Sequence, residues 1–133
     1  MASDNRDTSR EVFFTAQAAN GFGDPMNVQP FKNINIALHG SGTAAFTVKV
    51  MGSDQKAVPD WTAAASATND WSYIGTWDLD PVTIIAGSTG YVFAGDATAR
   101  LLVNTDTLTH INVEVSGYSA GALTATVSAS TNE

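Results

Sequence analysis

The amino-acid sequence predicts an all-β fold, an antiparallel β-sandwich of jelly-roll type with eight to ten short strands. Segments that alternate apolar and polar residues recur at residues 33–39, 45–51, 109–118 and 121–130. This period-two alternation is typical of strands that bury one face. Turn-forming Gly, Asn, Asp and Ser residues separate the segments, as expected where antiparallel strands follow one another closely.

The N-terminal part predicts an arm, a first strand and a loop. Residues 1–9 are polar and charged and offer nothing to bury, so we expect a flexible arm followed by a single domain at residues 10–133. Within residues 10–17, Val12 and Phe14 share one face of a strand. The Asn-Gly and Asp-Pro dipeptides in residues 18–30 predict a loop.

Two pairs of segments predict strands joined by tight turns. Residues 33–39 and 44–51 flank a Gly-Ser-Gly-Thr connector, which indicates neighbouring strands. Residues 109–118 and 121–130, separated by two residues, form the clearest predicted hairpin in the chain.

The middle of the chain predicts a long irregular segment and then a strand with an aromatic face. Residues 52–69 contain Pro59, which blocks a regular strand. Residues 70–78 are predicted as one strand. Three shorter predicted strands follow, at residues 82–86, 90–95 and 99–104.

The charge of the chain argues against several classes of partner. The formal net charge is -7, and the six basic residues are scattered rather than clustered. A nucleic-acid-binding protein needs several Lys or Arg side chains on one face, so no nucleic-acid partner is expected. The N-terminus lacks the apolar core of a signal peptide, and no apolar run approaches the roughly 20 residues of a membrane helix. We therefore expect a protein that is made in a cytoplasm and has no membrane partner.

No motif in the sequence predicts catalysis. Residues 117–121 match the Gly-x-Ser-x-Gly pattern of a nucleophile elbow, but that chemistry needs a strand-to-helix turn and a later His. Here strands are predicted on both sides, and His39 and His110 both precede Ser119. The motif therefore predicts a hairpin turn, and we expect no enzymatic activity.

Metal and cofactor sites are not predicted either. His39 and His110 are the only histidines, and the absence of Cys removes thiolate ligands. Asp78 and Asp80 could offer two oxygens to calcium, but the further ligands of a calcium loop are missing. Turn formation and capping are the better explanation for this pair, so no cofactor is expected.

The aromatic residues are the one feature with a functional alternative. Trp71, Tyr73 and Trp77 fall on one side of the predicted strand at residues 70–78, and Trp61 precedes it. Such a face packs a core or a subunit contact when buried, and binds sugar rings when exposed. These four residues are the candidate protein-contact or ligand face, with core packing, subunit contact and glycan platform left open.

Three parts of the chain carry a resemblance to a known class of protein. Residues 41–53 run from small residues into a Thr-Val-x-Val strand and a Gly-Ser-Asp turn. This cadence, with residues 71–76 and the closing run at residues 111–118, resembles small β-sandwich virion proteins of tailed bacteriophages. The resemblance covers about residues 33–130.

The resemblance implies a location and a role. Proteins of this kind coat capsids as cement or decoration subunits, often as trimers, or serve in tails and fibres, and they have no catalytic residues. It implies a virion protein that binds the major capsid protein or other virion proteins and forms a homotrimer. A tail, tail-tip or fibre component is the first alternative, and a carbohydrate-binding module is the second.

Overall fold

The computed structural model describes residues 8–79 and 82–130, and within these the chain is all-β with no helix. Ten strands lie along this part of the sequence. They are β1 (Thr8–Gln17), β2 (Gly21–Phe22), β3 (Met26–Asn27), β4 (Asn33–Ser53), β5 (Ser72–Tyr73), β6 (Thr76–Asp78), β7 (Thr83–Ile85), β8 (Tyr91–Ala94), β9 (Ala97–Asn104) and β10 (His110–Ser130). Residues 1–7 of the predicted arm lie outside the described residues, whereas Thr8 and Ser9 belong to β1.

The strands pair antiparallel in one hydrogen-bonded sheet with the order β1-β10-β4-β9-β6-β7. The short strands β2 and β3 pair with β10, and β5 and β8 pair with β4. The predicted all-β antiparallel class and strand number are confirmed. The strands are not all short, however, because β4 and β10 each contain 21 residues.

Strand β4 is continuous where the sequence predicts two neighbouring strands, so that prediction is wrong. Its backbone passes through Gly42 and Thr43 with φ values of 71° and 61°. These left-handed residues redirect the strand without ending it, as a bulge does. The Gly-Ser-Gly-Thr segment is therefore a bend within one strand and not a turn between two.

Strand β10 bends in the same way, so the predicted hairpin at residues 109–130 is also wrong. Gly117 and Gly121 have φ values of 59° and 88°, and the register against β4 shifts on both sides of Ala120. A Cβ on Gly121 would lie 2.5 Å from the Ser41 carbonyl oxygen and 2.6 Å from Ala44 Cα. The two bends therefore lie against each other, and close backbone contact requires glycine there.

The paired bends divide the sheet into two regions. We call the first region the hairpin half, after the consecutive paired strands β6 and β7 that it contains. It consists of residues 33–40 of β4 and 122–129 of β10, with β1, β9, β6 and β7. The aromatic half contains residues 45–53 of β4 and 110–116 of β10, with β2, β3, β5 and β8.

One apolar core joins the two halves. It takes alternate residues of both long strands, and a single buried cluster includes members from each half. The members from β4 and β10 are Ile34, Ile36, Leu38, Ala44, Phe46, Val48, Val50, Ile111, Val113, Val115, Leu123, Ala125, Val127 and Ala129. The period-two alternation thus identifies the buried face correctly, although the strand ends were misplaced.

Candidate functional site

Three of the four candidate aromatic residues form a packed cluster on the aromatic half. The ring centroids of Trp61 and Trp71 lie 6.4 Å apart, and those of Trp71 and Tyr73 lie 5.3 Å apart with the rings nearly perpendicular. Edge-to-face contacts of this kind are favourable. Trp61 is only 6% exposed, so the cluster is not an open row of rings. We call Trp61, Trp71 and Tyr73 the aromatic cluster.

The cluster is tied to the two long strands through Tyr73. This residue pairs with Met51 of β4, and its hydroxyl donates a 2.6 Å hydrogen bond to the Glu114 carboxylate on β10. The Lys49 ammonium lies 5.0 Å from the centre of the Tyr73 ring. Partial burial, followed by the hydrogen bond to Glu114 and the charge of Glu114, raises the pKa of Tyr73 to about 12.

The segment between β4 and β5 holds the cluster in place through its own polar groups. The Asn69 side chain accepts a hydrogen bond from the Asp60 amide and donates one to the Asp60 carbonyl, and the Trp71 indole donates to the Ala63 carbonyl. Hydrogen bonds from the Thr62 hydroxyl and amide lower the pKa of Asp60. The segment between β4 and β5 is therefore held in place by its own hydrogen bonds.

Trp77 lies apart from the other three residues. The predicted strand at residues 70–78 is interrupted at Ile74 and Gly75, so that β5 pairs with β4 whereas β6 pairs with β9 and β7. Trp77 lies between Leu102 of β9 and Ile84 of β7 and is 52% exposed. The structure thus brings Trp61, Trp71 and Tyr73 together and places Trp77 on the hairpin half.

Trp77 belongs to a second apolar surface that the sequence analysis did not identify. Leu79, Val82 and Ile84 are also exposed, and Ile84 is 73% exposed. We call Trp77, Leu79, Val82 and Ile84 the hairpin patch. Within the described sheet β7 pairs with β6 alone, so the patch lies at a sheet edge. The sequence signal for this surface is the density of apolar residues in and between the two very short strands β6 and β7.

Two cavities lie beside the patch. One, of about 160 Å³, is lined by Trp77 and Leu102 with Asn33 and Asn104. The other, of about 240 Å³, is lined by Leu79, Thr98 and Ala99 with His39 and Arg100. Among the described residues, no carboxylate lines either cavity.

The polar residues considered for chemistry do not come together. His39 pairs with Thr124 in the hairpin half, whereas His110 is buried and pairs with Ser53 in the aromatic half. Ser119 lies in the bend of β10, where its hydroxyl donates to the Ala45 carbonyl. Asp78 is buried, and Asp80 lies outside the described residues.

The described residues contain neither a cluster of metal-ligating side chains nor a membrane-spanning helix. No group of three or more His, Asp or Glu side chains converges as a metal site there. In the same residues no helix is long and apolar enough to cross a membrane.

The fold is similar to two solved structures. The SPBc2 prophage-derived protein YomS superposes with a TM-score of 0.73 at 11% identity, covering 98% of this chain and 99% of YomS. The PBSX exported protein XepA superposes with a TM-score of 0.71 at 17% identity, covering 98% of this chain and 40% of XepA. No protein-family model and no curated protein matches the sequence. At these identities the likeness establishes a shared fold.

Proposed function

We propose that this chain is a phage structural protein without enzymatic activity, located in the virion, where it acts as a capsid cement or decoration subunit. The fold likeness to the prophage-derived protein YomS and to XepA supports the phage association. The resemblance of residues 33–130 to small virion proteins supports the structural role. The two halves of the bent sheet share one core, which favours the predicted sandwich arrangement.

The observation that carries this proposal is the hairpin patch. Trp77, Leu79, Val82 and Ile84 supply four of the eight large apolar side chains found exposed in the described residues. Exposed apolar groups concentrated in one place are typical of protein contact sites, and Trp is enriched at such sites. A sheet edge beside them can accept a further strand.

The proposed partners are the major capsid protein or another virion protein, together with copies of this chain in a homotrimer. Each contact of standard size buries on the order of 1,600 Å². A subunit that binds only the assembled shell stabilises that shell by mass action. The scattered basic residues and the net charge of -7 support protein partners over nucleic acid.

The geometry does not favour a carbohydrate-binding module on the aromatic cluster. Trp61 is buried and the Trp71 indole is already hydrogen-bonded to Ala63. Flat, open stacking of a sugar ring would need these rings exposed. A tail or fibre location uses the same contacts as a head location, and the experiment below separates the two.

The test uses particles of the phage that encodes the chain. Immunogold labelling of purified particles is expected to place the protein on the head, and particles lacking it are expected to lose infectivity sooner on heating. Purified protein added to these particles is expected to restore heat resistance. Label on the tail alone would overturn the cement role, and absence of the protein from particles would overturn the proposal.

A matched pair of variants tests the patch itself. Ile84→Ser and Val92→Ser each remove an exposed apolar side chain from a short strand, 73% and 61% exposed respectively. Ile84→Ser is expected to weaken particle binding about tenfold or more, as loss of a contact residue does. Val92→Ser, on the other half of the sheet, is expected to bind normally. Equal binding by both variants would contradict the assignment of the patch.

A further inference from the structure

We infer that the hairpin half binds an extended segment of a partner protein that places an apolar side chain beside Trp77 and a carboxylate beside Arg100, two residues apart. This inference rests on the proposed function in that it identifies the chemistry of the protein partner at the hairpin patch. It concerns only the two cavities beside β6 and β9.

The spacing of the two cavities matches an extended chain. Leu102 lines the smaller cavity and Arg100 lines the larger one, and both belong to β9. Residues two apart on one strand face the same side and are separated by about 7 Å. An extended segment lying over the outer face of β9 has the same repeat, so its residues i and i+2 reach one cavity each.

The smaller cavity suits an apolar side chain of moderate size. Its walls include the exposed ring of Trp77 and the side chain of Leu102. Asn33 and Asn104 stand at the same cavity, and the Asn104 side-chain oxygen already accepts a hydrogen bond from the Asp106 amide. The remaining amide hydrogens are free to donate to the backbone carbonyls of a bound segment.

The larger cavity suits a carboxylate. Arg100 is exposed and forms no ion pair with any of the described residues, and His39 lies in the same cavity. Among the described residues no carboxylate lines it, although the chain carries 13 acidic residues and only 6 basic ones. A guanidinium group binds a carboxylate through two parallel hydrogen bonds, which gives direction as well as energy.

A second copy of this chain suits this surface less well than a separate segment. The edge strand β7 has three residues, too few to support a contact of the roughly 1,600 Å² that stable pairs bury. Two copies would also each carry a net charge of -7. An extended segment on this face instead places one side chain in each cavity, and its backbone carbonyls can accept hydrogen bonds from the side-chain amides of Asn33 and Asn104.

The test measures binding of short peptides by the indole N–H signals of the three Trp residues in nuclear magnetic resonance. Acetyl-TLTDT-amide is expected to shift the Trp77 signal and leave the Trp71 signal unchanged. Acetyl-TLTKT-amide is expected to bind about fivefold or more weakly. Arg100→Gln is expected to remove this preference, whereas Lys56→Gln, which changes an exposed lysine elsewhere, is expected to keep it.

Three results would overturn the inference. The first is equal binding of the two peptides, the second is no Trp77 shift by either peptide at millimolar concentration, and the third is a shift confined to Trp71. A Trp77 shift with chitotriose but with neither peptide would assign the cavity to sugars instead. Because no particles are used, the outcome is separate from the proposed function. If Ile84→Ser lost particle binding but the protein bound both peptides equally, the hairpin patch would remain a protein contact. The inference that this contact binds an apolar residue and a carboxylate two positions apart would be rejected.

Discussion

The aromatic cluster and the hairpin patch show two outcomes for apolar side chains on the surface of one sheet. In the aromatic half, Trp61 and Trp71 pack together within a segment that supplies its own hydrogen bonds, and Trp61 is buried. In the hairpin half, Trp77 and Ile84 are more than half exposed beside an edge strand. Both regions carry large apolar side chains, and they differ in how far these are exposed: Trp61 is 6% exposed and Trp77 is 52% exposed.

This difference supports the proposal that an external partner contacts the hairpin patch. A covered cluster stabilises the fold through burial, and its removal should reduce the free energy of unfolding. An uncovered patch contributes little to the fold, and under the proposed function its apolar side chains become buried against a partner. Stability and binding measurements on matched variants can therefore separate the two regions.

The largest expected effect separates Trp61 from Trp77. Trp61→Ala is expected to lower the free energy of unfolding by about 3–5 kcal/mol, the usual cost of removing a buried Trp. Trp77→Ala is expected to cost about 1 kcal/mol or less because its ring is half exposed. Urea unfolding, followed by circular dichroism, measures both.

A second Trp61 variant controls for the size of the ring. The Trp61 indole nitrogen is buried without a hydrogen-bond partner in the described residues, and such a donor carries a desolvation cost. Trp61→Phe is therefore expected to cost clearly less than Trp61→Ala. If Trp61→Ala and Trp77→Ala were equally destabilising, the distinction between covered and open regions would fail.

The sequence predicts the buried face of each half better than it predicts the strands. Ile34, Ile36 and Leu38 occupy alternate positions, and large apolar side chains at this spacing predict a buried face whether or not the strand continues. The Gly-Ser-Gly-Thr segment reads equally well as a turn or as a bulge, since both use residues with positive φ. The long-range contact between Gly121 and Ser41 distinguishes the bulge from a turn. A contact between residues 80 positions apart leaves no pattern in the local sequence.

Substitutions at the paired bends of β4 and β10 should have the next largest effect on the free energy of unfolding. Gly121→Ala is expected to lower the free energy of unfolding by about 3 kcal/mol or more, because its Cβ would overlap the β4 backbone and its φ is positive. Gly117→Ala is the matched control. It also has a positive φ but no atom within 4 Å of the added Cβ, so a cost of about 1 kcal/mol is expected.

Thermal and urea unfolding of these two glycine variants tests the bend directly. Hydrogen exchange on Gly121→Ala is expected to show reduced protection in both halves of the sheet, whereas Trp61→Ala should affect mainly the aromatic half. A cost for Gly117→Ala equal to that for Gly121→Ala would show that backbone conformation, and not contact between the bends, sets the penalty.

The candidate site was predicted only in part, for a reason visible at Gly75. Trp71 and Tyr73 are correctly expected on one face, and Trp61 near them, but Trp77 follows the break at Ile74 and Gly75 and joins another part of the sheet. Alternate residues can be assigned to one face of a sheet only as long as the strand that carries them is uninterrupted. The exposure of Ile84 and Val82 depends on β7 being an edge strand, which is a property of strand order and not of composition.

The smallest expected effect concerns the hydrogen bond that fastens the aromatic cluster to β10. Tyr73→Phe removes the bond to Glu114 and is expected to lower the free energy of unfolding at neutral pH by about 1 kcal/mol. Because the pKa of Tyr73 is raised from 10.0 to about 12 on folding, the unfolded chain loses this proton first as the pH rises. The stabilisation is therefore complete below pH 10 and is lost between pH 10 and 12.

Comparison of the wild type with Tyr73→Phe across this range checks the sign, since their difference in stability should shrink as the pH rises through it. The phenolate absorbance should show one of the three Tyr residues ionising late, and Glu114→Gln, which keeps an acceptor but removes the charge, should bring that ionisation earlier. A constant difference from pH 8 to 12 would mean that folding does not shift the pKa of Tyr73, which would contradict a stabilising bond between its hydroxyl and the Glu114 carboxylate. The contrast with the open patch would then rest entirely on the burial of Trp61.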